Sequence, residues 1–480
     1  MADGDRTRED LRALVGATRI VEDPATIARA SRDTWVISVW RSLGSAPLPR
    51  PACVVRPKTT AEVAAVVSYA ARERIAVVPF GAGSGVCGGV LAGEGSIVLD
   101  LGAMRTLRSI DERALLATAE AGLLGSDFEA ALNRAGFSMG HFPQSIALSS
   151  VGGWVATRAA GQFSTKYGNI EDFFVAFEAV LPSGAIIRTR AVPRASTGPD
   201  LRHLFLGAEG TTGVLTEVTF QIHPLPEASA RDALAFPSMS AGLEALRRVL
   251  RAGWRPAVVR LYDEIEAGRA FAGAAGASES LLLTLSEGPA GLVAAERQAV
   301  GALCADAGGR SLGPGPVESW LRDRNTVPEF EFFLKQGMIV DTIEVATTWD
   351  RIDQLYTGVL AAVRAIPGLI VASGHSSHSY PTGTNIYFTF AARPDRPEDM
   401  ESLYFRIWDA AMEATLAAGG TISHHHGIGR VRREWLRREL GSAYPLLTEL
   451  KRALDPLGIM NPGALLSEPA AEPPGRSGRG

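Results

Sequence analysis

Apolar positions along the first half of the chain alternate between two periods. Val63, Val66, Val67 and Tyr69 recur at helical spacing and predict a helix over residues 59–74, with Thr60 and Glu62 suited to its start. The β-branched run 75–80 reads as a buried strand, as do 52–56, 96–101 and 115–119, and a second helix is predicted over 127–135. Runs 173–181 and 185–189 flank Pro182, Ser183 and Gly184, a hairpin signal, and strand 214–222 closes this part. A short helix over 7–15 precedes it all. Beyond His223-Pro224-Leu225-Pro226 the texture changes. Predicted helices 239–252, 290–308 and 350–365 alternate with strands 281–285, 338–347 and 385–391, and 400–466 is mostly helical. The pattern is α+β, without internal repeats. It divides the chain into a helical segment 1–47, a first lobe 48–226, a second lobe 227–423, a segment 424–467, and a Pro/Gly/Arg-rich tail 468–480 expected to be disordered.

Length and composition narrow the classes. A chain of 480 residues exceeds one hydrophobic core. Hydrophobic residues at 46% and charged residues at 21% are ordinary for a globular protein. A net charge of −4 with scattered arginines argues against a nucleic-acid partner. Cys53, Cys87 and Cys304 form no disulfide or metal pattern and fit a reducing cytoplasm. The polar start MADGDRTRED is no signal peptide, and no apolar run approaches membrane-spanning length.

Gly83-Ser84-Gly85-Val86-Cys87-Gly88 satisfies G-x-G-x-x-G by letters. A nicotinamide site needs a helix after this loop, and Gly88 to Gly93 is a poor helix former leading into another strand. What survives is a run of closely spaced backbone N–H groups suited to a pyrophosphate, or else a plain glycine-rich turn. Two further loops of the same texture tip the balance: His141 to Asn169, rich in hydroxyls and glycines, and Gly207 to Gly213.

These loops resemble the vanillyl-alcohol-oxidase type (PCMH-type) of FAD-binding family, and within it the alkylglycerone-phosphate synthase group. The most specific segments are Ser150-Val151-Gly152-Gly153-Trp154-Val155-Ala156-Thr157-Arg158-Ala159, Tyr167-Gly168-Asn169-Ile170-Glu171-Asp172 and Gly419-Gly420-Thr421-Ile422-Ser423-His424-His425-His426-Gly427-Ile428-Gly429. The resemblance runs from about residue 52 to 466. It implies a PCMH-type FAD-binding domain over 48–226, an α+β substrate (cap) domain over 227–423, and a C-terminal segment 424–467 returning to the FAD domain. Phe80, Gly81, Ala82, Gly83, Ser84 and Gly85 would meet the pyrophosphate of FAD. Gln144, Ser145, Ser149, Gly152, Gly153, Trp154, Thr157, Glu209, Gly213 and Val214 would hold the rest. Some relatives anchor the flavin on a histidine in the glycine loop. Ser84 and its neighbours offer none, so FAD is expected to bind non-covalently.

Five of the eight histidines fall in two short segments, His375 with His378, and His424, His425 and His426. Three in succession, flanked by glycines, cannot share one core-facing stripe. A metal site is the rival to acid–base work and ranks below it, because no carboxylate accompanies the cluster within its motif; no metal is expected. By the resemblance, Tyr380 matches the proton-abstracting base, and the histidines would stabilise its anion. Arg260 matches a functionally sensitive arginine, against the alternative of an ion pair with Asp263. The implied chemistry occurs at flavin N5, on a carbon bearing oxygen: either the ether-forming exchange of the synthase or, as the alternative, oxidation of a 2-hydroxy acid or other alcohol. The synthase's phosphate-binding arginine falls, counted without gaps from Trp349, on Phe330, with Arg322 and Arg324 nearby. Phe330, Phe332 and His378 are therefore candidate substrate contacts, Phe333 a further one, and a less anionic small molecule is expected. A homodimer stays open.

Overall fold

The computed structural model describes residues 2–45, 48–327 and 329–466; the tail expected to be disordered lies outside the described residues. Strands Cys53–Val55, Ile97–Asp100 and Val77–Phe80 pair in parallel, and Ile20–Val21 adds an antiparallel edge. Their Val/Ile/Leu side chains are mostly buried, as a parallel sheet covered on both faces requires. A second, antiparallel sheet runs Leu107–Asp111, Leu116–Glu120, Val214–Gln221, Phe174–Val180, Ile186–Arg188. The two sheets share one core with helix Thr60–Glu73, which buries Val63, Val66, Val67 and Tyr69. The helix is capped by Thr59, one residue before the predicted Thr60: its hydroxyl accepts from Glu62 N–H at 3.1 Å.

The second lobe is a seven-stranded antiparallel sheet in the order Arg310–Gly313, Ala228–Phe236, Ser280–Gly288, Val258–Tyr262, Leu369–Ser376, Gly383–Ala392, Ile339–Thr348. Helices Met239–Arg251, Ile352–Arg364 and Met400–Ala417 contribute to its main core, in which Trp408 and Tyr404 are the largest fully buried rings. Residues 228–236 and 369–376 were not predicted as strands. The first mixes alanines with Arg231 and Asp232, and the second ends in polar residues that are buried because it runs into the site.

The predicted 1–47 segment does not act as one unit. Leu11 of helix Ala2–Val15 packs in the first lobe, whereas helix Val36–Trp40 belongs to the core of the second. Trp35 Nε1–H donates to Tyr404 Oη at 2.9 Å, and Tyr404 donates to Asp341 at 2.8 Å, fixing that attachment. At the other end the chain returns to the first lobe. Val77 N–H donates to Ile459 O (2.7 Å) and Asn461 N–H to Val77 O (2.8 Å), extending the parallel sheet. Among the described residues no helix is long and apolar enough to cross a membrane.

His141 is fully buried edge-on to Trp154 and Phe173, and neither ring nitrogen finds a partner among the described residues. Burial depresses its pKa from 6.5 to about 3. Below 6.5 the unfolded chain takes up a proton that the folded chain refuses until about 3, so this site lowers stability progressively as pH falls through that window. His141→Phe is expected to flatten the fall in urea midpoint between pH 7 and pH 5. An identical fall in both proteins would remove His141 from the account.

Candidate functional site

A cavity of about 850 Å³ lies between the lobes. One wall is glycine-dense. A Cβ on Gly81 would stand 2.4 Å from Ser150 Oγ, and one on Gly152 2.6 Å from the Cβ of Ala121, so the backbone lies at a closeness only glycine permits. Gly83 has φ 74°, and the ring of Phe80 packs behind it, away from the cavity surface. Asp33, buried, accepts from Trp35 N–H at 3.1 Å and Val90 N–H at 3.3 Å and holds the loop's ends. Burial pushes its carboxyl up to about 7. Among the described residues the N–H groups of Ala82, Gly83, Ser84 and Gly85 have no protein acceptor. Such a cradle of free donors fits the pyrophosphate of a dinucleotide.

The rest of this wall follows from helix Val151–Thr157 and its approach. Ser150 caps the helix, accepting from Gly153 N–H at 3.2 Å. Trp154 Nε1–H donates to Ser149 Oγ at 2.8 Å, and Thr157 Oγ1 donates to Gly153 O at 2.9 Å. Gln144, Ser145, Ser149, Gly152, Gly153, Trp154, Thr157, Gly213 and Val214 all border the cavity. Glu209 does too, but its carboxylate is engaged elsewhere. It accepts from Ile428 N–H (2.7 Å) and Gly429 N–H (2.8 Å), tying the C-terminal segment to the first lobe. Asn461 completes the tie, donating to Gly89 O at 2.8 Å and Glu209 O at 2.7 Å.

The facing wall holds the imidazoles. Strands Leu369–Ser376 and Gly383–Ala392 deliver His375 and Tyr387, and the turn between them carries His378 and Tyr380. His378, Tyr387, His425, His426, His375 and Arg260 reach the cavity; Tyr380 and His424 stand behind it. They connect to it by hydrogen bonds. Asn169 Nδ2–H donates to Tyr380 Oη at 2.9 Å, so the phenol proton points to His424 Nε2 at 2.6 Å. His424 Nδ1 then faces His425 Nδ1 at 2.9 Å, leaving the far nitrogen of His425 for the cavity side. Burial depresses His424 to about 4 and His378 and His425 well below their ordinary value, so all three are neutral near pH 7. Burial also raises the Tyr380 phenol, which outweighs the stabilising Asn169 bond.

The missing carboxylate comes from a distant strand. Glu344, fully buried on Ile339–Thr348, accepts from His425 N–H (3.1 Å), His426 N–H (2.8 Å) and Ser423 Oγ (3.0 Å). It also pairs with the fully buried Arg432, and its Oε2 lies 3.1 Å from His426 Nδ1. Burial alone would raise this carboxyl, but Arg432 and the imidazoles hold it well below the ordinary range. A second carboxylate, Glu266, meets His375 Nδ1 at 2.6 Å, while His375 Nε2 accepts from Arg260 at 2.7 Å. Arg260 also donates to Tyr262 Oη at 2.5 Å. The Arg260–Asp263 ion pair weighed from sequence does not form. Asp263 instead caps helix Glu264–Ala270 and accepts from Gly374 N–H at 2.5 Å. Phe330 and the 58% exposed Phe332 line the cavity near its mouth, and Phe333 does not. His378, His424 and His425 bring one nitrogen each within 4.8 Å of one another, enough for a cation, but both nitrogens of His424 are already hydrogen-bonded.

Sequence reading missed Glu344, Glu266 and Tyr387. A carboxylate inside the alternating run Val340 to Val345 was the available signal for the first. Removing one partner of a buried ion pair costs about 3–5 kcal/mol. Glu344→Gln is thus expected to lower the urea-derived unfolding free energy by several kcal/mol, and a change below about 1 kcal/mol would deny the pair this role.

Comparison with known proteins agrees with this geometry. Residues 51–190 match the family described as FAD binding domain, and residues 225–465 match FAD linked oxidases, C-terminal domain. The chain is 34% identical over 478 residues to the uncharacterized FAD-linked oxidoreductase YgcU of Escherichia coli (strain K12), covering 95% of this chain and 97% of that protein. It is 30% identical over 476 residues to alkyldihydroxyacetonephosphate synthase of Trypanosoma brucei brucei, covering 92% and 76% respectively. A solved alkyldihydroxyacetonephosphate synthase superposes with TM-score 0.81 at 24% identity over 95% of this chain and 84% of that one, which is a likeness of fold.

Proposed function

The chain belongs to the FAD-linked oxidases and is an FAD-dependent enzyme, and from that premise we propose acid–base catalysis at a carbon bearing oxygen, in the manner of alkylglycerone-phosphate synthase. The observation that carries this reading is the hydrogen-bonded line Asn169–Tyr380–His424–His425, which opens into the cavity opposite the glycine cradle. When bound, FAD supplies an electrophilic ring able to take electrons from the substrate carbon.

The protein's own groups handle the proton. With Tyr380 protonated, His424 accepts the phenol proton's hydrogen bond and donates to His425, whose outer N–H can protonate a substrate oxygen. In the reverse direction a proton taken by His425 moves through His424 to a tyrosinate stabilised by Asn169 and His424. Tyr380 thus stores the proton and the histidines carry it, so the base need not touch the substrate. Arg260, held by Tyr262 and by His375, whose other nitrogen meets Glu266, would offer fixed positive charge beside the reacting region. Glu344 and Arg432 keep the histidine segment in place.

Removing a general acid–base group costs typically about 10²–10⁴-fold in rate. Tyr380→Phe and His425→Ala are expected to lose turnover to that extent while keeping the flavin spectrum. Near-normal rates in Tyr380→Phe would make that tyrosine structural. The reaction itself is decided by an anaerobic screen read by flavin absorbance and product analysis. Ether formation from an acyl-ketone phosphate and a long-chain alcohol, without lasting bleaching, is expected. Bleaching by a 2-hydroxy acid with no ether product would replace this reading with a dehydrogenase.

Ser84 on the cradle and the absence of histidine from residues 80–85 support non-covalent FAD. Acid precipitation should release all the flavin into the supernatant; yellow colour retained in the pellet would refute this. We place the enzyme in the cytoplasm, consistent with its free, buried Cys53, Cys87 and Cys304. There it would act on a small molecule, alone or as a homodimer.

A further inference from the structure

One acid of the cavity wall takes no part in the line of Tyr380 and the histidines. Asp33 is 1% exposed and borders the cavity behind the glycine loop. Its segment grips the loop at two points. Asp33 N–H donates to Val90 O at 2.9 Å, and Thr34 N–H donates to Gly85 O at 2.8 Å. A Cβ on Gly85 would stand 3.2 Å from Asp33 Oδ2, so the carboxylate lies directly against the backbone of the cradle. Its partners are the N–H groups of Trp35, at 3.1 Å, and Val90, at 3.3 Å; among the described residues it pairs with no cation. These two, with the N–H groups of Gly88 and Gly89, favour the ionised form, and burial outweighs them.

The charged groups nearby are committed elsewhere. On the same segment, Arg32 turns a guanidinium N–H to Asp33 O at 3.0 Å, and the field of Glu331 reaches that guanidinium from the second lobe. Glu331 is itself paired with Lys335 at 2.8 Å. Along the glycine loop, burial pushes the Cys87 thiol well up, which leaves it uncharged. Beyond Gly89 stands a second buried carboxylate, Glu209, with Oε2 3.2 Å from where a Gly89 Cβ would lie. Arg432 is paired with Glu344, and Arg430 donates to Leu91 O at 3.3 Å and Pro462 O at 2.9 Å. Asp33 thus has a neighbouring acid on the loop and no paired cation.

The free N–H groups of residues 82–85 fit a pyrophosphate, which carries negative charge on both phosphates. An ionised Asp33 against the same backbone would repel it, and burial leaves that repulsion poorly screened. A neutral acid would not repel it and keeps a carbonyl oxygen for Trp35 N–H. We propose that FAD binding draws a proton from solvent onto Asp33, so that the neutral acid holds the cofactor and ionisation releases it. This rests on the glycine loop as the pyrophosphate cradle and not on the acid–base reading of the opposite wall. Burial alone already pushes the carboxyl up to about 7, and a neighbouring pyrophosphate raises it further. Affinity for FAD is therefore full below about 7 and falls as pH rises through that value. By linkage, the proton and FAD favour one another equally.

The test reads flavin release. The FAD-loaded enzyme is diluted in series at pH 6 and at pH 8, and free flavin is measured by its fluorescence. A ligand bound with one extra proton loses about tenfold in affinity per pH unit above the group's free pKa, so the wild type is expected to lose about tenfold between these two values. Asp33→Asn is uncharged and keeps the carbonyl acceptor. It should bind FAD equally at both pH values and more tightly than the wild type at pH 8. Should it not fold, Asp33→Ser takes its place, with the same equal affinity expected. Glu209→Gln, at the neighbouring acid, should keep the fall. A wild type whose affinity is the same at pH 6 and pH 8 overturns the proposal, as does an uncharged Asp33 variant that keeps the fall. Loss of the fall in Glu209→Gln assigns the proton to Glu209 and overturns it as well. An enzyme that shows the Asp33-dependent fall yet gives no product in the substrate screen overturns the acid–base reading and leaves this inference standing.

Discussion

A carboxylate with no exposure stays ionised only where fixed charge and hydrogen-bond donors surround it. Glu344 has both: the buried guanidinium of Arg432, and the backbone N–H groups of His425 and His426. The position of the histidine segment depends on this pair. Residues 423–429 form no helix or strand of their own, so nothing in local backbone bonding would fix where the imidazoles point. Glu344 reaches them from a strand whose register with Gly383–Ala392 also sets Tyr387 opposite it. One ion pair thus coordinates sheet and loop at the same point.

The same segment is gripped from the other lobe. Glu209 binds the N–H groups of Ile428 and Gly429, and Asn461 bonds to the first lobe on two carbonyls. The cavity therefore has walls contributed by separate cores but joined through one short stretch of chain. This explains why a glutamate expected to face a cofactor has its oxygens turned to the backbone. It also makes the distance between the glycine cradle and the imidazoles a property of the two clamps.

The two walls differ electrically. The cradle presents unpaired N–H groups, suited to a phosphate-rich ligand. The opposite wall presents neutral imidazoles, kept neutral by burial, with carboxylates placed behind Arg260 and the histidines and not in front of them. These carboxylates orient the imidazoles, leaving Arg260 as the positive group of that wall. On the proposed reading, a proton leaving through His425 and His424 puts its negative charge on the Tyr380 phenolate, where the Asn169 and His424 hydrogen bonds would stabilise it.

Local pattern determined much of this by itself. Helical spacing of Val63, Val66 and Val67 and the β-branched run ending at Phe80 act through neighbours a few residues away and read correctly as helix and strand, and the glycine density of three loops marked stretches that border the cavity. The clustering of His424, His425 and His426 marked a wall of the cavity, which His425 and His426 line. The partners of those groups were decided only by tertiary structure. Glu344 lies 81 residues from His425, Glu266 109 from His375, and Tyr380 44 from His424. No periodicity links positions so far apart, because what joins them is strand register and lobe packing. For the same reason the sequence matched Tyr380 to the base near the reacting carbon, whereas folding sets it behind His424.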